Sequence, residues 1–195
     1  MIAHADGVSV GERAATNVIV TERLVLVPLT LPMVEAVMGG DRRRAEELAQ
    51  ARLPDAWPGS ELIHRGFGAA LEDIRADEKK RLWGDRLLIT RTGEPRVVGS
   101  VVFHGRPDED GVAEVGYGVE EGSRGLGLAT EGTRACVRWA LSQPGVSAVA
   151  ATTFPWHVAS LRVIEKLGMK LCDSRDHELF GELLVYRITL ESWSE

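Results

Sequence analysis

Three glycines and an arginine stand together at residues 122–127, in the stretch VEEGSRGLGLATEGTRACVRWAL that covers residues 119–141. Glycine permits positive φ and close approach of another group to the backbone. A helix N-terminus presents unpaired N–H groups and a partial positive charge, which together suit an anion such as a pyrophosphate. Because a helical pattern follows and Arg124 adds a charge, this glycine corner (residues 122–127) predicts either a phosphate-binding site or a plain connector.

Two common nucleotide-binding motifs do not match the glycine corner. A P-loop requires Gly-Lys-Ser/Thr, and no lysine follows these glycines. A Rossmann fingerprint would require glycine or alanine at the position of Thr130. It also belongs at the first strand–helix junction of its fold, whereas several predicted strands precede this corner.

The hydrophobic pattern predicts the strands and helices that must position the corner. Strands are expected at residues 17–30, 112–119, 146–154, 169–174 and 181–190, with a hairpin at 86–103. Helices are expected at residues 31–53, with an interruption near Gly39 and Gly40, and at 61–80, 130–141 and 160–168. This order predicts an α/β (α+β) mixed sheet with helices on its faces. We expect a flexible arm at residues 1–17 and one domain at 18–195.

Composition and charge narrow the function classes. A net charge of -6 argues against nucleic-acid binding as the main role. No apolar run reaches the roughly 18 to 20 residues of a membrane span, and the first residues do not resemble a secretory signal, so a cytoplasmic location is expected. Two cysteines and five histidines without ligand spacing predict neither a disulfide framework nor a metal site.

The motif RGLGLA at residues 124–129 matches the R/Q-x-x-G-x-G/A signature of the GNAT superfamily of acyl-CoA-dependent N-acetyltransferases. TERLVLVPLT resembles the opening strand of that family, and AEVGYGV resembles the strand before its signature. HVASLRVIEKLGM and WPG resemble the branch that includes ribosomal-protein N-terminal acetyltransferases. The resemblance implies a mostly antiparallel central sheet, splayed in its middle, with helices on both faces. It also implies acetyl-CoA as cosubstrate and no metal.

The resemblance further implies a set of coenzyme-binding residues. The pyrophosphate ligands would be the N–H groups of Gly127, Leu128, Ala129 and Thr130, with Arg124 and Gly125 completing the loop. The main chain of Tyr117 and Val119 would pair with the pantetheine arm. Gly116 and Gly118 suggest a bulge or a close backbone approach, and in the family a bulge here opens a slot for the thioester. His157 stands where relatives usually carry asparagine, and would donate a hydrogen bond to the pantetheine.

Two residues are candidates for proton transfer by the same resemblance. Glu114 stands where related enzymes carry a general base, and the alternative is a solvated strand glutamate. Ser160 would contact the coenzyme sulfur and protonate the departing thiolate, or it would serve as a helix N-cap, or both. Ile164 replaces the tyrosine that many relatives use as the acid, and Tyr186 is a remote substitute that packing explains better.

The sequence defines the residues that bind the acceptor less clearly than those that bind the coenzyme. Trp57, in a proline-flanked loop, is the best aromatic candidate for a substrate pocket together with Glu114. The predicted reaction is transfer of an acetyl group to a primary amine, on a protein N-terminus or a small molecule, by direct attack in a ternary complex. The alternatives are a non-catalytic acyl-CoA-binding regulatory module and a nucleotide-binding oxidoreductase. No nucleic-acid or membrane partner is expected, and a homodimer is left open.

Overall fold

The computed structural model describes residues 17–55, 71–177 and 181–193. These residues form eight strands: β1 (Ile19–Val20), β2 (Leu24–Pro28), β3 (Arg86–Thr90), β4 (Val97–Phe103), β5 (Val112–Val119), β6 (Ala148–Thr153), β7 (Lys170–His177) and β8 (Gly181–Thr189). They also form six α-helices: α1 (Leu31–Met38), α2 (Arg42–Ala49), α3 (Leu71–Ala76), α4 (Glu78–Arg81), α5 (Leu128–Leu141) and α6 (Val158–Leu167). None of the helices described is long and apolar enough to cross a membrane.

All eight strands belong to one mixed sheet, in the order β1-β2-β3-β4-β5-β6-β8-β7. The pair β5–β6 is parallel, and the other neighbouring pairs are antiparallel. A parallel pair needs a long crossover, and α5 provides it here. The predicted mixed, mostly antiparallel sheet is therefore confirmed.

Helices cover both faces of the sheet, as predicted. Successive side chains of a strand point to opposite faces, and β3 shows both environments. Leu88 lies in the larger core cluster with Cys136 and Val137 of α5, whereas Leu87 and Ile89 lie in a second cluster against the other face. That second cluster contains residues of α1 and α2. The central strands are thus buried from two sides and hold the remaining elements in fixed positions.

Strand β5 changes partners along its length. Its first residues pair with β6, ending at Glu114 opposite Ala150, and its later residues pair with β4, from Val115 to Val119. Among the described residues, β6 makes no ladder pair with β5 beyond Glu114. The sheet is therefore splayed in its middle, as predicted, and we call the space between β6 and the later half of β5 the gap.

The prediction of a bulge at Gly116 and Gly118 is wrong. The β4–β5 register is continuous through both glycines, and the irregularity lies between β3 and β4, at Leu88 and Ile89. The close backbone approach belongs to Gly99, where a Cβ atom would lie 2.2 Å from the carbonyl oxygen of Gly118. A lone glycine in the apolar run VVGSVVF was the available sequence signal, and it was missed.

Some element boundaries differ from the expected ones. The single strand expected at 17–30 is a hairpin, because a turn closed by Thr21 N–H donating to the Leu24 carbonyl separates β1 from β2. The interruption at Gly39 and Gly40 is confirmed, and α2 restarts after it. The last helix begins at Val158, before the expected residue 160, and ends at Gly168 as predicted, with φ +77°.

Candidate functional site

The glycine corner leads directly into an uncapped helix. Helix α5 begins after Gly127, whose φ of 79° lies in the left-handed region, and no side chain caps its N-terminus. Gly125 also has a positive φ, of 77°. Among the described residues, no group accepts a hydrogen bond from the N–H groups of residues 127–130. Four amides at the positive end of a 14-residue helix are thus open to an anion.

A hairpin turn far away in sequence is tied to the corner. Arg23 Nε lies 2.6 Å from Glu131 Oε2, and its Nη1 donates to the Leu126 carbonyl at 2.8 Å. The Thr21 hydroxyl donates to Glu131 Oε1 at 2.6 Å. Arg23 Nη2 lies 3.5 Å from the position that a Cβ atom would take at Gly127. The Arg23–Glu131 pair therefore fixes the corner and adds a second guanidinium beside the exposed Arg124.

The Glu131 carboxylate is held in its ionised form. Burial alone would raise its pKa, but hydrogen bonds from the Thr21 hydroxyl and from the Arg23 main chain and side chain hold the pKa below its usual range. Glu131 lies in the first turn of α5, where a negative charge also complements the helix dipole. Sequence reasoning missed this pair because 108 residues separate its members.

The main chain of β5 faces the gap at the residues predicted to bind pantetheine. The Glu114 carbonyl and the Glu120 N–H both bond to residues of or beside β4. Because backbone bonds alternate between the two edges of a strand, Tyr117 and Val119 direct their N–H and C=O groups toward the gap. An extended chain lying in the gap would find unpaired donors and acceptors there.

One side of the gap, the side of α5 and α6, carries a paired tyrosine and serine. The Tyr117 hydroxyl lies 3.1 Å from Ser160 Oγ and donates to the Ser160 carbonyl at 3.2 Å. Burial raises the pKa of the Tyr117 phenol, and the hydrogen bond to Ser160 offsets this only in part. The phenol is therefore neutral near pH 7 and is able to donate a proton.

The structure corrects one alternative for Ser160. His157, and not Ser160, is the N-cap residue of α6, and its side chain makes no capping hydrogen bond. Ser160 instead lies in the first turn, directed at Tyr117. Ile164, which stands where relatives carry a tyrosine, is 1% exposed and belongs to the core. The sequence predicted a role in pantetheine binding for the Tyr117 main chain, but it did not predict the contact of the Tyr117 phenol with Ser160.

The opposite side of the gap carries an acid and a histidine. Glu114 Oε1 accepts a hydrogen bond from the Thr152 hydroxyl at 2.8 Å and lies 3.5 Å from His104 Nδ1. Glu114 and Tyr117 are three residues apart in a continuous strand, so their side chains lie on opposite faces. The two candidate proton-transfer groups thus flank the gap from its two sides.

Three further predicted residues have different outcomes. Trp57 lies outside the described residues. Tyr186 packs against the main core, as the packing interpretation expects. His157 is exposed at the start of α6, next to Trp156. Within the described ranges, no group of three or more His, Cys, Asp or Glu side chains is placed to hold a metal ion.

Comparison with known proteins agrees with this fold. Residues 23–170 match the family model described as an acetyltransferase (GNAT) domain. The chain therefore belongs to the GNAT acetyltransferase family and is an acetyltransferase enzyme. The uncharacterized N-acetyltransferase YjdG of Bacillus subtilis (strain 168) is 28% identical over 153 residues, which cover 77% of this chain and 88% of that protein.

Solved structures with the same fold include two ribosomal-protein acetyltransferases, as the branch resemblance predicted. Mycobacterium smegmatis RimJ in complex with CoA-disulfide has a TM-score of 0.60 and 17% identity, over 88% of this chain and 84% of RimJ. The ribosomal-protein-S5-alanine acetyltransferase of Vibrio fischeri has a TM-score of 0.61 and 13% identity, over 91% of this chain and 99% of that one.

Replacing Glu131 by Gln tests the Arg23–Glu131 pair. We expect the free energy of unfolding at neutral pH to fall by about 1–3 kcal/mol, because the charged acceptor is lost. The pKa of Glu131 is lower in the folded than in the unfolded chain. Its stabilising contribution is therefore present above the unfolded pKa and lost as pH falls through the folded pKa.

Urea denaturation at a series of pH values measures this effect. The difference between wild type and Glu131→Gln should shrink as pH falls through the carboxyl range. Glu121→Gln, at an exposed position in the turn before the corner, is the matched control and should match wild type throughout. A deficit in Glu131→Gln that stays constant down to acid pH would show that the pair does not stabilise the corner through charge.

Proposed function

We propose that this acetyltransferase binds acetyl-CoA at the glycine corner and transfers its acetyl group to a primary amine, by direct attack in a ternary complex. The observation that carries the proposal is the set of four N–H groups at residues 127–130, which no described residue pairs. They stand at an uncapped helix N-terminus next to a gap in the sheet. A diphosphate supplies the acceptors that these amides lack.

Charge at the corner supports binding of a diphosphate. The helix dipole and the exposed Arg124 present positive potential on one side of the loop. Arg23 has its charge paired with Glu131 and places Nη2 close to Gly127. Gly125 and Gly127 adopt positive φ, so the amides converge without strain. The complex of Mycobacterium smegmatis RimJ with CoA-disulfide supports the same class of ligand for this chain.

The pantetheine arm would follow β5 into the gap. Its two amide groups match the unpaired main-chain groups of Tyr117 and Val119, in the manner of an added strand. His157, at the start of α6, is our candidate for a further hydrogen bond to the arm. This path places the thioester between the face that carries Glu114 and the face that carries Ser160.

The two faces divide the proton transfers. The amine nitrogen forms a bond to the acetyl carbon, the carbon–sulfur bond breaks, and the amine proton leaves on the Glu114 side. The thiolate leaves on the other side, where Ser160 supplies a proton and Tyr117 supports it. Orientation of two reactants lowers the activation free energy by roughly 7–11 kcal/mol. One positioned acid or base raises the rate by about 10²- to 10⁴-fold, which corresponds to a smaller decrease in that barrier. Positioning of the coenzyme is therefore the larger effect.

A protein N-terminus is our first candidate for the acceptor, and a small amine is the second. The fold likeness to the ribosomal-protein-S5-alanine acetyltransferase favours the first. Exposed acids at Asp108, Glu109 and Asp110, in the turn before β5, would attract a cationic amine of either kind. Trp57 and Glu114 are the proposed lining of the acceptor pocket.

Three further points of the sequence analysis belong to this proposal: one domain over residues 18–195, a cytoplasmic location, and the question of a homodimer, which the sequence left open. Limited proteolysis tests the first prediction by the size of the resistant fragment. Fractionation of cells that express the chain tests the second. Light scattering of the pure protein tests the third, and a monomer mass at all concentrations would contradict a homodimer.

A panel of peptides and small amines with acetyl-CoA tests the proposed activity. We expect release of the coenzyme thiol, in proportion to acetylated amine, with one acceptor class. A regulatory module would instead bind acetyl-CoA and release no thiol with any acceptor. NAD serves as the control ligand, since the oxidoreductase alternative requires its binding.

Substitution of Gly127 tests the corner. Gly127→Ala should weaken acetyl-CoA binding by at least 10-fold, because a Cβ at φ 79° strains the turn that aligns the amides. Gly145→Ala is the matched control, since its φ is 81° and no atom lies near the added Cβ. Calorimetry measures both affinities, and equal affinities would remove the corner from coenzyme binding.

Tyr117→Phe tests the proton supplied to the thiolate. We expect kcat to fall by about 10²-fold with acetyl-CoA affinity unchanged, because the hydroxyl that supports Ser160 is lost. Ser160→Ala should lower kcat at least as much. Tyr186→Phe removes the other tyrosine hydroxyl and should retain full activity, and parallel losses in both tyrosine variants would contradict this assignment.

A further inference from the structure

The Glu114 carboxylate is held between three strands at the mouth of the gap. Its Oε1 atom accepts the Thr152 hydroxyl from β6 at 2.8 Å. The same oxygen lies 3.5 Å from Nδ1 of His104, which stands directly across from Glu114 at the end of β4. The carboxylate is thus fixed by one neighbour and directed at the imidazole of the other.

The imidazole of His104 has Nδ1 near the Glu114 carboxylate and Nε2 near Gly116. If the hydrogen of the neutral ring is on Nδ1, 3.5 Å from the carboxylate, Nε2 carries the lone pair that can accept a proton. Nε2 lies 3.8 Å from the position that a Cβ atom would take at Gly116, and glycine leaves that space empty. Gly116 is the second residue of β5 past its last pair with β6, so this nitrogen lies beside the part of β5 that borders the gap.

Exposure differs between the two side chains. His104 is 60% exposed, and Glu114 is 32% exposed and has one oxygen already in a hydrogen bond. An amine that approaches the gap from this face meets the imidazole first. Hydrogen bonds of catalytic groups are often long before the ligand binds and shorten in the complex, so 3.5 Å is compatible with an acting pair.

We propose that His104 Nε2 is the base that takes the proton from the acceptor amine, and that Glu114 is a positioning residue that orients the imidazole. This inference rests on the proposed function and deepens it. In the step, the nitrogen–carbon bond forms, the carbon–sulfur bond breaks, and the ammonium proton passes to Nε2. The thiolate takes a proton from Ser160, and exchange with water restores both groups afterwards.

A carboxylate–imidazole pair suits this proton transfer. An imidazole titrates near neutral pH, where a general base is most effective. The carboxylate fixes the tautomer and stabilises the imidazolium that forms, which is the division of roles in a catalytic triad. The Thr152 hydroxyl donates a hydrogen bond to Glu114 and so holds the carboxylate that orients the imidazole of His104.

The pH dependence follows from the groups that face His104. Glu114 faces it from β5, and exposed Arg106 follows it in the same turn. Among the described residues, no other charged side chain is in contact with His104. Glu114 and Arg106 are therefore the charged neighbours whose removal the test compares.

The test is the pH profile of kcat/KM for the acceptor in His104→Gln and Glu114→Gln. The profile has one limb from titration of the acceptor amine and one limb from a group on the enzyme. Measuring two acceptors whose amines differ in basicity separates the two limbs, because only the limb of the amine moves with the acceptor. We expect His104→Gln to lower kcat/KM by about 10²-fold or more, to lose the enzyme limb, and to bind acetyl-CoA like wild type. Glu114→Gln should lose less activity and keep that limb, because it removes only the group that orients the imidazole.

Controls separate this inference from stability and from the proposed function. Arg106→Gln changes a nearby charge only, and should keep the rate and the limb. In His104→Ala, imidazole added to the buffer should restore part of the rate, which a folding defect would not allow. Full activity in His104→Gln would overturn the inference. It would also be overturned if Glu114→Gln lost the enzyme limb while His104→Gln kept it. Failure of the wild type with every acceptor would instead overturn the proposed function.

Discussion

The structure depends on one electrostatic arrangement, the unpaired N–H groups of residues 127–130 at the positive end of α5. Such groups are costly to leave unsatisfied unless water or a ligand reaches them. Glycines at positive φ aim them outward, and the Arg23–Glu131 pair holds the turn from the far end of the sequence. This helix N-terminus is therefore the place where we propose that an anion binds.

The splayed sheet gives that anion site its chemical meaning. Because β5 leaves β6 after Glu114, a ligand bound at the corner, as we propose, would meet unpaired main-chain groups of β5 beside the gap. Alternation of side chains then separates two environments within a few residues of one strand. Glu114 with His104 lies on one face, and Tyr117 with Ser160 lies on the other. The reaction that we propose removes a proton from the amine and gives a proton to the thiolate, so it needs two separate environments.

Local signals in the sequence predicted the corner, the mixed sheet and the cap at Gly168, because glycine patterns and hydrophobic periodicity act over short distances. The Arg23–Glu131 pair was not predictable, since it joins residues 108 positions apart. His104 was missed for a related reason: its partner is set by the β4–β5 register. The expected bulge in β5 was wrong because close approach depends on the neighbouring strand, at Gly99.

A crystal structure of the protein with acetyl-CoA tests the central claim most directly. We expect diphosphate oxygens within about 3.2 Å of the N–H groups of residues 127–130, and the thioester in the gap between β5 and β6. Acetyl-CoA bound elsewhere, with those amides facing only solvent, would contradict the assignment of the site.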